Sequence, residues 1–208
     1  MRRLPIYFLI DSSGGMQGEI KHIVENVLQV FFCSLRSNPE FIENVAISVI
    51  GVSSVSKLIL ELQTIEVINI AGIKIETLGV FNLKDGLKYL HNRIEGDVYE
   101  SENPGYRDKK PLIVLLNIRN PIPKLDEKII NPKNKIGLFI SYALSNEVDY
   151  QFQNELSNYG INMIDEQFEK LPFFFKWFIE LIEIRLQDFT QHQMPKLPNE
   201  LKFLKENL

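Results

Sequence analysis

The chain has 208 residues, 45% hydrophobic and 24% charged, with a formal net charge of −4. Length and composition suit one α/β domain able to bury a core without disulfides, and the single cysteine excludes an internal bridge. The acidic balance comes without a basic block, which argues against a nucleic-acid surface, and no run approaches the ~20 apolar residues of a membrane span.

Two arginines, Arg2 and Arg3, precede the apolar run Leu4–Ile10, a layout shared with secretory leaders. Pro5 interrupts the run, Asp11 ends it and no small-residue cleavage site follows, so it is expected to be a buried first strand of a cytoplasmic protein. Asp11-Ser12-Ser13-Gly14-Gly15 then turns the chain into a helix. Ile20, Ile23, Val24, Val27, Leu28, Phe31, Phe32 and Leu35 recur at i, i+3, i+4, i+7 and onward, one wide apolar stripe. Val45–Val52 and Lys57–Leu62 read as strands. Only Ser53, Ser54, Val55 and Ser56 separate them, too few for a crossover helix, so an antiparallel hairpin at one sheet edge is expected.

Leu83, Leu87, Leu90 and Ile94 mark a second helix, and the polar Gly96–Lys110 with Pro104-Gly105 a surface loop. Leu112–Leu116 and Ile136–Ile140 are strand-like, with a weaker strand at Ile161–Ile164. A third helix is expected over Glu147–Tyr159, stopped by Gly160. Phe175, Phe178, Ile179, Ile182, Leu186 and Phe189 define a long last helix opened by Pro172. Residues 191–208 form a tail with Pro195 and Pro198, ending in a short amphipathic helix marked by Leu201, Leu204 and Leu208. Strands alternating with helices predict an α/β, Rossmann-like doubly wound fold: a mainly parallel central sheet, one antiparallel edge strand and helices on both faces.

In such a sheet ligands collect at the carboxyl ends of the strands, which places Asp11 and Ser13 at the functional edge. A carboxylate and a hydroxyl suit a hard cation such as Mg²⁺; the same residues also suit a helix cap over a glycine turn. The glycines match neither nucleotide-binding spacing. His22, His91 and His192 show no spacing that makes a triad or a metal pair. Cys33 reads as a buried small hydrophobe. Phe173, Phe174, Phe175, Trp177 and Phe178 read chiefly as core, although one helix face cannot bury all five.

The segment Arg3–Met16 resembles the opening of the TerY-type von Willebrand factor A (vWA) proteins of bacterial tellurite-resistance systems, whose first strand ends in D-x-S-x-S. Asn44–Val52 is similar to that family's second strand, Lys110–Leu116 to its central strand, and Phe173-Phe174-Phe175-Lys176-Trp177 to its aromatic FFKW segment. The resemblance implies a vWA-like domain over residues 1–190. It also implies a metal-ion-dependent adhesion site (MIDAS) supplied by three loops. Asp11 and Ser13 match its first two ligands. Gly15 stands at the second serine, Phe81 at the threonine and Ile118 at the later aspartate, three positions without an oxygen-bearing side chain. Thr77, Asn117 and Asn120 are alternative donors.

The implied site is therefore a degenerate MIDAS with no cofactor, a weakly held Mg²⁺ being the alternative. By the same resemblance the chain is a non-enzymatic protein–protein interaction module of a bacterial stress or defence system. Its implied partners are a protein kinase and a PP2C-type phosphatase encoded nearby. The candidate contact residues are Phe81, Ile118, Leu201, Leu204 and Leu208. The competing readings are a Mg²⁺-dependent adhesion or switch domain, and an α/β enzyme that shares only the architecture.

Overall fold

Every residue of Leu4–Asp11 (β1) is buried, as expected of an unbroken apolar strand covered on both faces. The computed structural model describes residues 3–101, 107–120, 135–145, 147–149, 151, 159–162, 170–187, 194–199 and 202–203. Within them, β1 lies mid-sheet between β2 (Val45–Val52) and β4 (Leu112–Asn117), parallel to both. β3 (Lys57–Thr64), β5 (Leu138–Ala143), β6 (Tyr159–Asn162) and β7 (Lys202–Phe203) complete the order β3-β2-β1-β4-β5-β6-β7. β5 and β6 continue the parallel set. β3 pairs antiparallel with β2, as the short serine-rich connection requires, and the two-residue β7 runs antiparallel on β6 at the far edge.

Strand alternation divides the core into two layers. Ile6, Phe8 and Ile10 join α1 (Glu19–Leu35) and the last helix on one face, while Tyr7 and Leu9 join the helix that follows Phe81 on the other. Among the described residues, two helices with given bounds lie between α1 and the last one. α2 (Pro39–Asn44) is short; Pro39 opens it and the Asn38 carboxamide accepts the Glu40 N–H at 2.9 Å. α3 (Leu83–Asp97) is capped by Asn82, whose side chain accepts the Asp85 N–H at 3.2 Å. The last helix is α4 (Leu171–Gln187). The Phe8 ring meets Phe31, Phe175 and Phe178 at centroid distances of 5.7, 5.9 and 6.0 Å, so aromatic packing fixes β1 against α1 and α4.

Between β3 and α3 the chain recrosses the α1 face with only a three-residue turn of helix at Ile70–Gly72. An irregular crossover over a core must satisfy its backbone groups with side chains. Arg36 donates to the carbonyls of Ile65, Glu66 and Ile68. Near the other end Glu25, 4% exposed, accepts the Ile75 N–H at 2.7 Å.

Several expectations need correction. Of the helix expected over Glu147–Tyr159, Gln151 is helical and 147–149 are not, Tyr159 and Gly160 belong to β6 rather than to a helix and its stop, and 150 and 152–158 lie outside the described residues. Gly96 and Asp97 close α3 instead of opening a loop. Cys33 is exposed, because it sits one position past the stripe formed by Phe31, Phe32 and Leu35. Of the aromatic segment, Phe174, Phe175, Trp177 and Phe178 are buried and Phe173 is 41% exposed. Trp177 Nε1–H donates to the Pro195 carbonyl at 3.2 Å, and Met194 and Leu197 pack on the core, so this part of the tail docks on its own domain. Leu201, Leu204 and Leu208 lie outside the described residues. No helix among the described residues is long and apolar enough to cross a membrane.

The buried Glu25 contact yields a stability test. Glu25→Ala leaves the Ile75 N–H without its acceptor and should cost about 1–3 kcal/mol, read as a lowered urea midpoint with loss of hydrogen-exchange protection at Ile75. Glu25→Gln keeps an acceptor oxygen and should recover most of both.

Candidate functional site

β1 leads to β2 on one side, and the later strands lie on the other, beyond β4. The carboxyl ends of β1 and β4 therefore border the crevice where open α/β sheets bind ligands. Ile10 pairs with Leu116, so Asp11 and Asn117 follow side by side at that end. Both are 0% exposed. One oxygen of the Asp11 carboxylate accepts the Ser13 N–H at 2.9 Å and the other accepts the Ile118 N–H at 3.4 Å. A single carboxylate thus ties the loop after β1 to the loop after β4.

Burial pushes the Asp11 carboxyl above its ordinary range, while the Ser13 hydroxyl, the Ser13 and Ile118 N–H groups and the charge of Arg119 pull it back. Ser13 Oγ and Asn117 Oδ1 are buried and accept no hydrogen bond. The Asn117 carboxamide cannot reverse to relieve this, since its Nδ2 donates to the Arg119 carbonyl at 3.0 Å. Asn120 has its oxygen occupied by the Asp149 N–H at 2.9 Å.

Gly14 and Gly15 are exposed and make the turn after Ser13. A Cβ built on Gly15 would overlap the Arg119 guanidinium, 2.8 Å from its Cζ, and would lie 2.9 Å from Ile118 Cδ1. The missing side chain is therefore the space that Arg119 crosses. Phe81 and Ile118 do not form an exposed apolar surface as expected: each is 4% exposed. Phe81 packs in the α3 layer with Tyr7, Leu9 and Val52, and Ile118 joins the opposite layer.

The apolar groups that do reach solvent at this edge are Leu78, Val80 and Val55, at 76%, 69% and 68% exposure. Their backbone is fixed. Leu78 N–H donates to the Ser12 carbonyl at 2.9 Å, Gly14 N–H to the Gly79 carbonyl at 3.0 Å, and Val80 N–H to Ser54 Oγ at 3.0 Å. Gly79 has φ +73°, and any Cβ there would run into Ser54 Oγ, so only glycine closes this contact without strain. Thr77 precedes Leu78 and so reaches the same edge. The sequence reading missed this segment; its one local signal was Gly79 between two aliphatic residues. His22 is exposed on α1, 3.8 Å from Glu25, and not beside either serine.

Among the described residues no group of three or more His, Cys, Asp or Glu side chains converges on one point.

No protein-family model matches the sequence, and no curated protein does. Solved structures do match. A von Willebrand factor type A protein from Catenulispora acidiphila superposes with a TM-score of 0.65 at 9% identity, over 84% of this chain and 41% of that one. Proximal thread matrix protein 1 from the mussel byssus, solved in one structure with a zinc-occupied MIDAS motif, gives 0.68 at 17% identity over 87% and 48%. The PilB minor pilin from Streptococcus sanguinis gives 0.67 at 15% identity over 89% and 62%. The fold is that of a vWA domain. The chain spans between two fifths and two thirds of the length of these solved chains.

The elevated Asp11 carboxyl sets a pH dependence. The folded protein holds this proton to higher pH than the unfolded chain, so the group's contribution is best below its unfolded value near 3.8 and declines as pH rises through the folded value. Relative to Asp11→Asn, the unaltered protein should lose stability in paired urea titrations as pH rises above the unfolded value near 3.8. A difference between the two that stays flat, or grows in favour of the unaltered protein, contradicts the assignment.

Proposed function

We propose that the chain is a non-enzymatic protein-interaction module that presents the carboxyl edge of its vWA-like sheet to a protein partner without requiring a divalent ion. One observation carries this reading: Leu78 and Val80 stand largely in water on a backbone pinned by Ser12, Gly14 and Ser54. Exposed aliphatic side chains on a rigid frame gain apolar burial on association with little further ordering of the chain.

The donor set supports independence from metal. An octahedral cation such as Mg²⁺ wants oxygen ligands, and Gly15, Phe81 and Ile118 supply no side-chain oxygen at three positions that the vWA resemblance would assign to ligands. Arg119 crosses Gly15, and a positive charge beside the ligand positions repels a divalent ion. A second reading, a weak Mg²⁺ site held by Asp11, Ser13 and Asn117, draws support from the buried Asn117 oxygen left without a partner. Calorimetric Mg²⁺ titration of the EDTA-treated protein separates them: no saturable heat fits the first reading, and micromolar binding lost in Asp11→Ala fits the second.

Similarity of the opening and FFKW segments to TerY-type proteins supports a cytoplasmic role in a bacterial tellurite-resistance-like system, with the neighbouring kinase and PP2C-type phosphatase as partners. Leu78→Asp combined with Val80→Asp should weaken binding to such a partner at least tenfold, on the order of 1.4 kcal/mol or more, with unchanged far-UV dichroism. Unaltered binding by that double variant counts against the proposed surface.

A further inference from the structure

We infer that Arg119, standing over Gly15, is the built-in cation of this edge and receives a carboxylate from the partner beside the apolar Leu78–Val80 ridge. The inference rests on the interaction-surface reading above and adds to it the chemistry that the surface recognises.

Three observations point to it. First, the guanidinium lies in the space beside Gly15 that a Cβ there would enter, 2.8 Å from its Cζ, so a side chain at position 15 has to displace it. Second, Arg119 is exposed and has no carboxylate within ion-pairing distance among the described residues. Glu76 pairs with Lys57 at 3.4 Å, Asp85 accepts the Ser56 N–H at 2.8 Å, and Asp149 accepts the Gln151 N–H at 2.9 Å. Asp11 is buried with its two oxygens turned to the N–H groups of Ser13 and Ile118. Third, the edge below is rich in oxygen. Buried Asn117 Oδ1 accepts nothing, and the Asp11 carboxylate interacts favourably with the Arg119 charge.

The backbone at Arg119 is anchored, since its carbonyl holds the Asn117 carboxamide at 3.0 Å. The guanidinium itself offers paired N–H donors in the geometry of a carboxylate, a charge-assisted and directional contact. Leu78, Val80 and Val55 add apolar contact on the same edge. The recognised element is therefore an aspartate or glutamate flanked by aliphatic side chains on a partner protein.

The test uses the full chain and two blocked tripeptides, Leu-Asp-Leu and Leu-Asn-Leu, followed by ¹H–¹⁵N NMR at the Arg119 Nε–H and at the Gly15 and Ile118 amides. The aspartyl peptide should shift these resonances and bind at least tenfold more tightly than the asparaginyl peptide, equally in Mg²⁺ and in EDTA. Arg119→Gln, an exposed change that does not threaten the fold, should reduce the aspartyl peptide to the asparaginyl level. Gly15→Val should do the same by displacing the guanidinium, with the remaining resonances in place. Equal affinity for the two peptides, absence of any shift at Arg119, a requirement for Mg²⁺, or full affinity in Arg119→Gln overturns the inference. Binding that Leu78→Asp abolishes but Arg119→Gln leaves intact would reject the carboxylate while sparing the apolar surface.

Discussion

A carboxylate at the end of a strand buried on both faces dominates the organisation of this molecule. β1 is shielded by aromatic packing on one side and by α3 on the other, so Asp11 leaves the sheet where water cannot solvate it. An unanswered buried charge is too costly to keep. It is answered in part by two backbone N–H groups, one in its own loop and one after β4. Those hydrogen bonds fix the relative position of the two loops that border the crevice. The placement of Gly15, Ile118 and Arg119 follows from that junction.

The third wall of the edge arrives by a different route. After the β2–β3 hairpin the chain must return across the α1 face before α3 can begin, and it does so almost without regular structure. Its polar backbone is met by Arg36 near the start and by the buried Glu25 near Ile75. Held at both ends, the segment delivers Leu78–Val80 to the rim, where Ser12, Gly14 and Ser54 fasten it. Local stability is therefore high where surface loops are usually loose, so the apolar side chains occupy fixed positions that a partner could meet without ordering them.

The layered architecture was legible because its signals are periodic. The α1 stripe, the near-continuous β1, β2 and β4 runs and the four-residue serine-rich hairpin each follow from spacing alone. The position of Asp11 and Ser13 at the carboxyl edge follows from strand-then-glycine punctuation. What was not legible depends on contacts far apart in sequence. Glu25 looks like an ordinary helix-surface carboxylate until the crossover covers it, and Cys33 looks apolar by its neighbours yet faces outward by about one helical step. Phe81 and Ile118, next to turn residues, suggested exposed contact points. Tertiary packing draws Phe81 under α3 and Ile118 toward the opposite layer, and the exposed apolar residues lie three positions and one position before Phe81 instead.

Position by position, Gly15 and Ile118 read as separate departures from the vWA ligand pattern, but in three dimensions they are one feature. Gly15 leaves the gap, Ile118 lines it and the next residue, Arg119, fills it. A serine at position 15 would put its Cβ where the guanidinium lies, so the end of the arginine would have to move aside. Residues that share one small volume do not contribute additively, and substitution at any of the three alters what the other two can do. An arginine, a glycine and a buried carboxylate thus share one small volume at this edge.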